Sequence, residues 1–307
     1  MKILKSSISL LLVLGGGIGL TSYLTSCSCS NSISPHGSIP FTNEYFTWTT
    51  SSNELTITGL KDNPDLKKYN TLSIPATCID NDIEYRVTAI GDWAFQGEFG
   101  DVEHNSITKL DLTNATNLQT IGEWAFNFCD LLTGSLTIPN SVTSIGEGAF
   151  VRCYGFTGSL TIGNSVTSIG TGAFALCSGF TGSLIIPNSV VSIGTNAFHG
   201  CSGFIGTLTI PNSVIEIRHN AFEGCSGFNE TLTIGNLVDN IGHSAFKDCS
   251  AFDIIDVSAW TSVPIIESYA FEGFNNTDGG TVIVPSDLGI TLSTFPSLPD
   301  TWSLQEV

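Results

Sequence analysis

"SLTIPNSVTSIGEGAFVRCYGFTG", residues 135–158, runs without a break into "SLTIGNSVTSIGTGAFALCSGFTG", residues 159–182. The Ala-Phe pair recurs at Ala125-Phe126, Ala149-Phe150, Ala173-Phe174, Ala197-Phe198, Ala221-Phe222 and Ala245-Phe246, always 24 residues on, with Ala94-Phe95 and Ala270-Phe271 as outliers at either end. Cysteine keeps the same beat at Cys129, Cys153, Cys177, Cys201, Cys225 and Cys249. A fixed period of this length is the signature of a solenoid, in which each repeat is one coil. Such an array grows by stacking, so 307 residues require no second domain.

Within a coil the types dictate the path. Leu136 and Ile138 alternate with Thr137 as in a short strand facing inward, and Pro139-Asn140 stops it. Val142 and Ile145 supply the next inward residues, Gly146 and Gly148 allow a tight bend, and Ala149 makes room for Phe150. Cys153, Phe156 and Thr157-Gly158 bring the chain back. No coil can bury its apolar residues alone, so stacking must hide them. Parallel strands repeat at about 4.8 Å, so Phe126, Phe150, Phe174, Phe198, Phe222 and Phe246 should form one buried ladder and the six cysteines another.

The string L-x-I-P-x-x-V-x-x-I-G-x-x-A-F-x-x-C, at Leu136–Cys153 and Leu184–Cys201, resembles the BspA-like leucine-rich repeat family. The likeness runs from about 55 to 285. "TLSIPATCIDNDIEYRVTAIGDWAF", Thr71–Phe95, resembles an imperfect first repeat, and "TVIVPSDL", Thr281–Leu288, a closing strand. Departures are Arg218 in place of the first bend glycine, and Gly163 and Gly235 in place of Pro; these are expected to soften single coils. The resemblance implies a leucine-rich-repeat solenoid, β-rich with short helical turns, of about eight coils mostly of 24 residues with terminal caps. It also implies a bacterial cell-surface protein.

Ahead of the array, Lys2 and Lys5 precede an apolar run from Ile8 to Leu20, too short for a membrane span of about 20 residues but suited to a secretion signal. Leu24-Thr25-Ser26-Cys27 resembles a lipobox, whose cysteine becomes the lipidated first residue. "SCSNSISPHGSIP", Ser28–Pro40, is Ser-rich with two prolines and reads as a tether. The expected organisation is a lipoprotein signal peptide at 1–26, a lipid-anchored tether at 27–40, an N-terminal β cap at 41–71, the solenoid at 72–285 and a C-terminal cap at 286–307. In the N-terminal cap, "FTNEYFTWTTSSNELTITGL" alternates like a hairpin; Phe295, Pro296, Pro299 and Trp302 are suited to close the other end.

The formal net charge is −18, and its distribution is uneven. Between Leu131 and Ile215 the charged residues are Glu147 and Arg152, whereas both flanks are acidic. A chain without a basic stripe is unsuited to nucleic acid. Acidic ends would also discourage end-to-end growth of the stack. The sequence carries no GxSxG elbow, P-loop, HExxH or Cys-x-x-Cys, so neither an enzyme nor a cofactor is expected. His219 and His243 hold the same position in adjacent coils, but Thr195 precedes them and no third ligand follows the pattern. The cysteine ladder reads as buried thiols packing as small apolar residues, the alternative being disulfides between coils.

Outward strand positions are nearly uniform hydroxyls (Ser135, Thr137, Ser159, Thr161, Thr207, Thr209), interrupted by Ile185. A regular array of this kind could hold ice or glycan, but Thr is also simply a good exposed strand residue. Diversity lies after the Ile-Gly bend, at Glu147, Thr171, Thr195, His219 and His243, and again at His199, Glu223 and Lys247. These are the candidate ligand-binding positions. The function expected is a lipid-anchored, monomeric surface protein binding a protein or glycan on host or neighbouring cells. The alternative is a scaffold lipoprotein of the cell envelope.

Overall fold

The computed structural model describes residues 37–97, 107–274 and 279–307; the leader, Cys27 and Cys29 lie outside the described residues. One parallel ladder runs the length of the stack. Eight strands contribute, beginning with Ile83–Ile90, continuing through Ser144–Ile145 and Ser168–Ile169, and ending with Ile265–Ile266. Register follows the repeat: Ser144 lies on Ser168 and Ile145 on Ile169, then Ser168 on Ser192 and Ile169 on Ile193. All but the first are two residues long, because the next residue begins the bend. There the backbones nearly touch. A Cβ on Gly146 would lie 2.7 Å from the amide N of Glu123, and one on Gly170 2.6 Å from the carbonyl carbon of Gly146. Arg218 keeps the ladder despite its side chain, its N–H donating to Ile193 O at 3.1 Å.

At the N-terminal end, strands Phe46–Ser51 and Glu54–Leu60 form an antiparallel hairpin whose second strand pairs with Ile83–Ile90. With Thr77–Asp80 on the other side of that strand the sheet reaches eleven strands. Ser38 and Ile39, placed in the tether by the sequence, are buried here; Ile39 N–H donates to Thr71 O, so the ordered chain already includes them. At the other end Thr281–Val284 is not the last strand: Ser303–Glu306 pairs with it. Phe295 stacks on Trp260, and the Trp302 ring meets Phe274 edge-on and covers Gly280. Helix among the described residues amounts to two 3₁₀ segments outside the regular coils, Pro64–Lys68 and Leu292–Thr294.

The Leu-x-Ile strands on the opposite side behave differently. They fall into separate sheets, Thr71–Ser73 with Lys109–Asp111, Leu136–Thr137 with Leu160–Thr161, and a five-stranded sheet from Leu208–Ile210 to Ser303–Glu306. Leu184-Ile185-Ile186 is left with an isolated bridge from Ile185 to Thr209. Each interruption falls where the later coil carries Pro139, Pro187 or Pro211. Proline cannot donate to the carbonyl below, and in strands this short one bond is a large share of the ladder. Where glycine stands instead the coils close up: Gly235 N–H donates to Ile210 O at 2.9 Å, and Gly163 packs directly on the Pro139 carbonyl. The two glycine departures therefore tighten their coils rather than soften them. Pro285 is tolerated because its strand is four residues long.

Between the two sides lie the ladders. The Phe126 to Phe246 rings are fully buried and stack at 5.0–5.4 Å, and a second column, Phe156 to Phe252, stacks at 5.3–5.9 Å. Such offset pairs contribute about 0.5–1.5 kcal/mol each beyond burial. The second column is widest at Phe180–Phe204 and Phe204–Phe228, beside the interrupted sheet.

The six cysteines form the third column. All are buried thiols, and each donates to the phenylalanine carbonyl of the coil before, Cys153 to Phe126 O at 3.1 Å and Cys177 to Phe150 O at 3.0 Å. The same pattern recurs from Cys129 to Cys249. The carbonyls of Phe126, Phe150, Phe174, Phe198 and Phe222 already accept the cysteine amide of their own coil, so there the thiol uses the second lone pair. Burial pushes the Cys177, Cys225 and Cys249 thiols well up, and Cys201 to about 12.

Candidate functional site

The bend after each Ile-Gly carries the chain out of the ladder, so the following side chain stands at the edge of the stack. Glu147, Thr171 and His219 are exposed there, and Thr195 and His243 are half-buried. The next residue takes a left-handed backbone in every coil. Gly148, Gly172, Asn196, Asn220 and Ser244 fill that position, but so do Trp93, Trp124 and Tyr269, at φ 61°, 55° and 61°. After Ala-Phe comes the second candidate row, where His199, Glu223 and Lys247 are half-buried.

Towards the C-terminal end the candidates lie beside carboxylates of the following coils. His199 Nδ1 lies 3.6 Å from Glu223 Oε2, and Lys247 Nζ 3.3 Å from Glu272 Oε2. The Glu272 hydrogen bond holds the Lys247 ammonium above the usual lysine range. His219 Nδ1 lies 3.5 Å from Glu267 Oε2 and accepts the His243 amide at 3.2 Å. An accepting Nδ1 puts the ring proton on Nε2. The His219 and His243 rings are 6.4 Å apart and tilted. Among the described residues no group of three or more His, Cys, Asp or Glu is placed to hold a metal. Glu147, Thr171 and Thr195 stand one per coil along the neutral middle.

The hydroxyl face is not an open lattice. Ser159 N–H and Oγ both lie against Ser135 Oγ, Thr207 Oγ1 donates to Glu230, and Ile185 projects with 73% of its surface exposed. Sequence reasoning missed two features. One is a set of grooves on the strand side where the sheet is interrupted, among them one of about 590 Å³ between 184–188 and 209–212. Another, about 540 Å³, lies between Lys109–Thr113 and Thr133–Thr137. Their signal was Pro139, Pro187 and Pro211. The other feature is the pair Trp93 and Trp124, rings 5.6 Å apart and nearly parallel, whose signal was a large aromatic where other coils use Gly, Asn or Ser.

A family model described as a BspA type leucine rich repeat region matches residues 88–202 and 180–295, in six copies. No curated protein matches the chain. Among solved structures, the T. pallidum leucine-rich repeat protein has a TM-score of 0.54 at 22% identity, covering 68% of this chain and 89% of its own, which shows the shared fold. A leucine-rich repeat protein from Bacteroides ovatus ATCC 8483 has a TM-score of 0.37 at 18% identity, covering 86% and 98%. A leucine rich cell surface protein from Faecalibacterium prausnitzii A2-165 has 0.31 at 22%, covering 87% and 94%.

Proposed function

The chain belongs to the BspA-type leucine-rich repeat family, and we propose that it is a non-catalytic cell-surface lipoprotein that binds macromolecules through its array, in adhesion to host matrix or to other cells. The observation that carries this reading is the edge row of the coils. Side chains of different chemistry, from Glu147 through Thr171 and Thr195 to His219 and His243, are set one per coil on a frame fixed by buried ladders. A rigid display of this kind binds without losing much conformational freedom. Its ligand is a protein or glycan, the array acts as a monomer, and Cys27 behind the apolar leader is the anchoring residue. More than one acyl chain there would hold it firmly.

The test is proteolysis of intact cells combined with mass spectrometry of the mature N-terminus. Lipidated Cys27 with protease-sensitive repeats is the expected result. Protected repeats would sink the adhesin reading and favour an inward-facing envelope scaffold.

A further inference from the structure

Trp93 and Trp124 hold a costly conformation. A left-handed backbone is unfavourable for an ordinary L-residue, and the same position is Gly, Asn or Ser in five other coils, with Tyr269 in the last. The rings gain little burial in return: Trp93 is 52% exposed, although its neighbours Ala94 and Phe95 are buried. Trp124 is half-buried and lies flat on Gly148, where a Cβ would come within 2.4 Å of the ring, so only glycine leaves it a seat. Trp93 then stacks on Trp124 at 5.6 Å and 16°. Strain kept at an exposed site is a mark of function rather than of packing.

What the plate would take follows from its flank. The residue before each of these positions is Asp92, Glu123 and Glu147 in three successive coils, all exposed. Asp92 Oδ1 accepts the Glu123 amide at 2.8 Å, which fixes the foot of this carboxylate column beside the indoles. Among the described residues no ion pair joins Asp92, Glu123 or Glu147 to a cation, while Arg152 sits 4.8 Å over the Phe128 ring and Arg86 pairs with Glu54. Indole faces beside unneutralised carboxylates attract cations, above all the planar guanidinium. A chain of net charge −18 also steers a basic partner inward.

We infer that Trp93 and Trp124, with Asp92, Glu123 and Glu147, form a docking plate for an arginine-bearing segment of a partner protein. This rests on the reading of the turn side as the binding side and names its ligand class.

The probe is an acetylated, amidated peptide of four Arg-Gly repeats, titrated calorimetrically into the full chain at low and moderate salt. Its citrulline counterpart and a neutral hexasaccharide serve as comparisons. Trp93→Asn keeps a residue that Asn196 and Asn220 show to be at home in this backbone. It should leave the melting temperature no lower yet weaken the arginine peptide about tenfold. Glu123→Gln combined with Glu147→Gln should weaken it and flatten its salt dependence. Three results would overturn the proposal: affinity unchanged in Trp93→Asn, which would mean general acid attraction only; saccharide binding in preference to the peptide; or no binding of the arginine peptide. The titration involves no cell, so repeats found protected on intact cells would remove the adhesin reading without altering this result, and the reverse also holds.

Discussion

At the scale of single residues, position within the coil decides what a substitution does. Phe174 lies between Phe150 and Phe198 at 5.4 Å on each side with no exposed surface. Phe174→Ala should therefore cost about 3–5 kcal/mol in urea unfolding; a loss below about 1 kcal/mol would contradict the ladder. The glycines make a finer test. At Gly170 a Cβ would meet the backbone of the coil before, so Gly170→Ala should cost about 1–3 kcal/mol by forcing coils apart. Two residues on, a Cβ at Gly172, φ 60°, would make only an ordinary contact with the Ala175 Cβ at 3.9 Å, and Asn fills that place in two later coils, so Gly172→Asn should be nearly neutral. Equal losses at both sites would show that backbone conformation, not approach of the coils, sets the requirement. The buried Phe, Cys and bend Gly positions were legible because a strict period aligns them. The Trp93–Trp124 plate was not, because the left-handed backbone that makes those residues unusual is invisible in one sequence.

At the scale of the element, the two sides of the coil differ in how well they are zipped. The Ser-Ile side has an unbroken ladder, whereas the Leu-x-Ile side is interrupted at each of Pro139, Pro187 and Pro211. Amides of Ser183–Ile186 should therefore exchange with solvent faster than those of Thr231–Ile234; equal protection would mean that the missing proline donors do not matter. The sequence reading took these prolines as strand stops within their own coil. Their larger effect is on the coil before, through a bond between repeats that no local pattern encodes. The thiol column was read as apolar packing, yet it also pairs with the phenylalanine carbonyls. In the folded chain burial raises the Cys177, Cys201, Cys225 and Cys249 thiols, Cys201 to about 12, so these four stay protonated after those of the unfolded chain ionise. Their stabilising effect is complete below pH 9 and is lost as pH rises towards 12, because there the unfolded state binds fewer protons. Stability should fall by about 1.4 kcal/mol per pH unit for each such thiol. Cys201→Ala should lessen the slope; an unchanged slope would mean the thiols do not differ between the two states.

For the whole molecule, stability turns on how an open stack is closed. Its eight-coil length and two caps follow from the repeat count and from the loss of period at 41–71 and beyond 285, but which residues seal each end depends on contacts the period does not describe. At the C-terminal end the seal is aromatic. Phe295 lies against Trp260 and Phe271, and Trp302 against Phe274, each ring at least 97% buried. Two aromatic side chains bury about 150–250 Å² each, which by area is roughly 8–12 kcal/mol as an upper bound. That is as large as the whole net stability of an ordinary domain, about 5–15 kcal/mol. Removing 286–307 would also uncover the pairing edge of Thr281–Val284, an invitation to join another chain. The truncated chain should therefore bind a hydrophobic dye, associate in light scattering, and lose its last coils to protease before its first. The milder change Phe295→Ala combined with Trp302→Ala keeps the edge strand, and should expose dye-binding surface with less association. A truncated chain that stays monomeric with an unchanged melting temperature would mean that the stack ends stably without its aromatic seal.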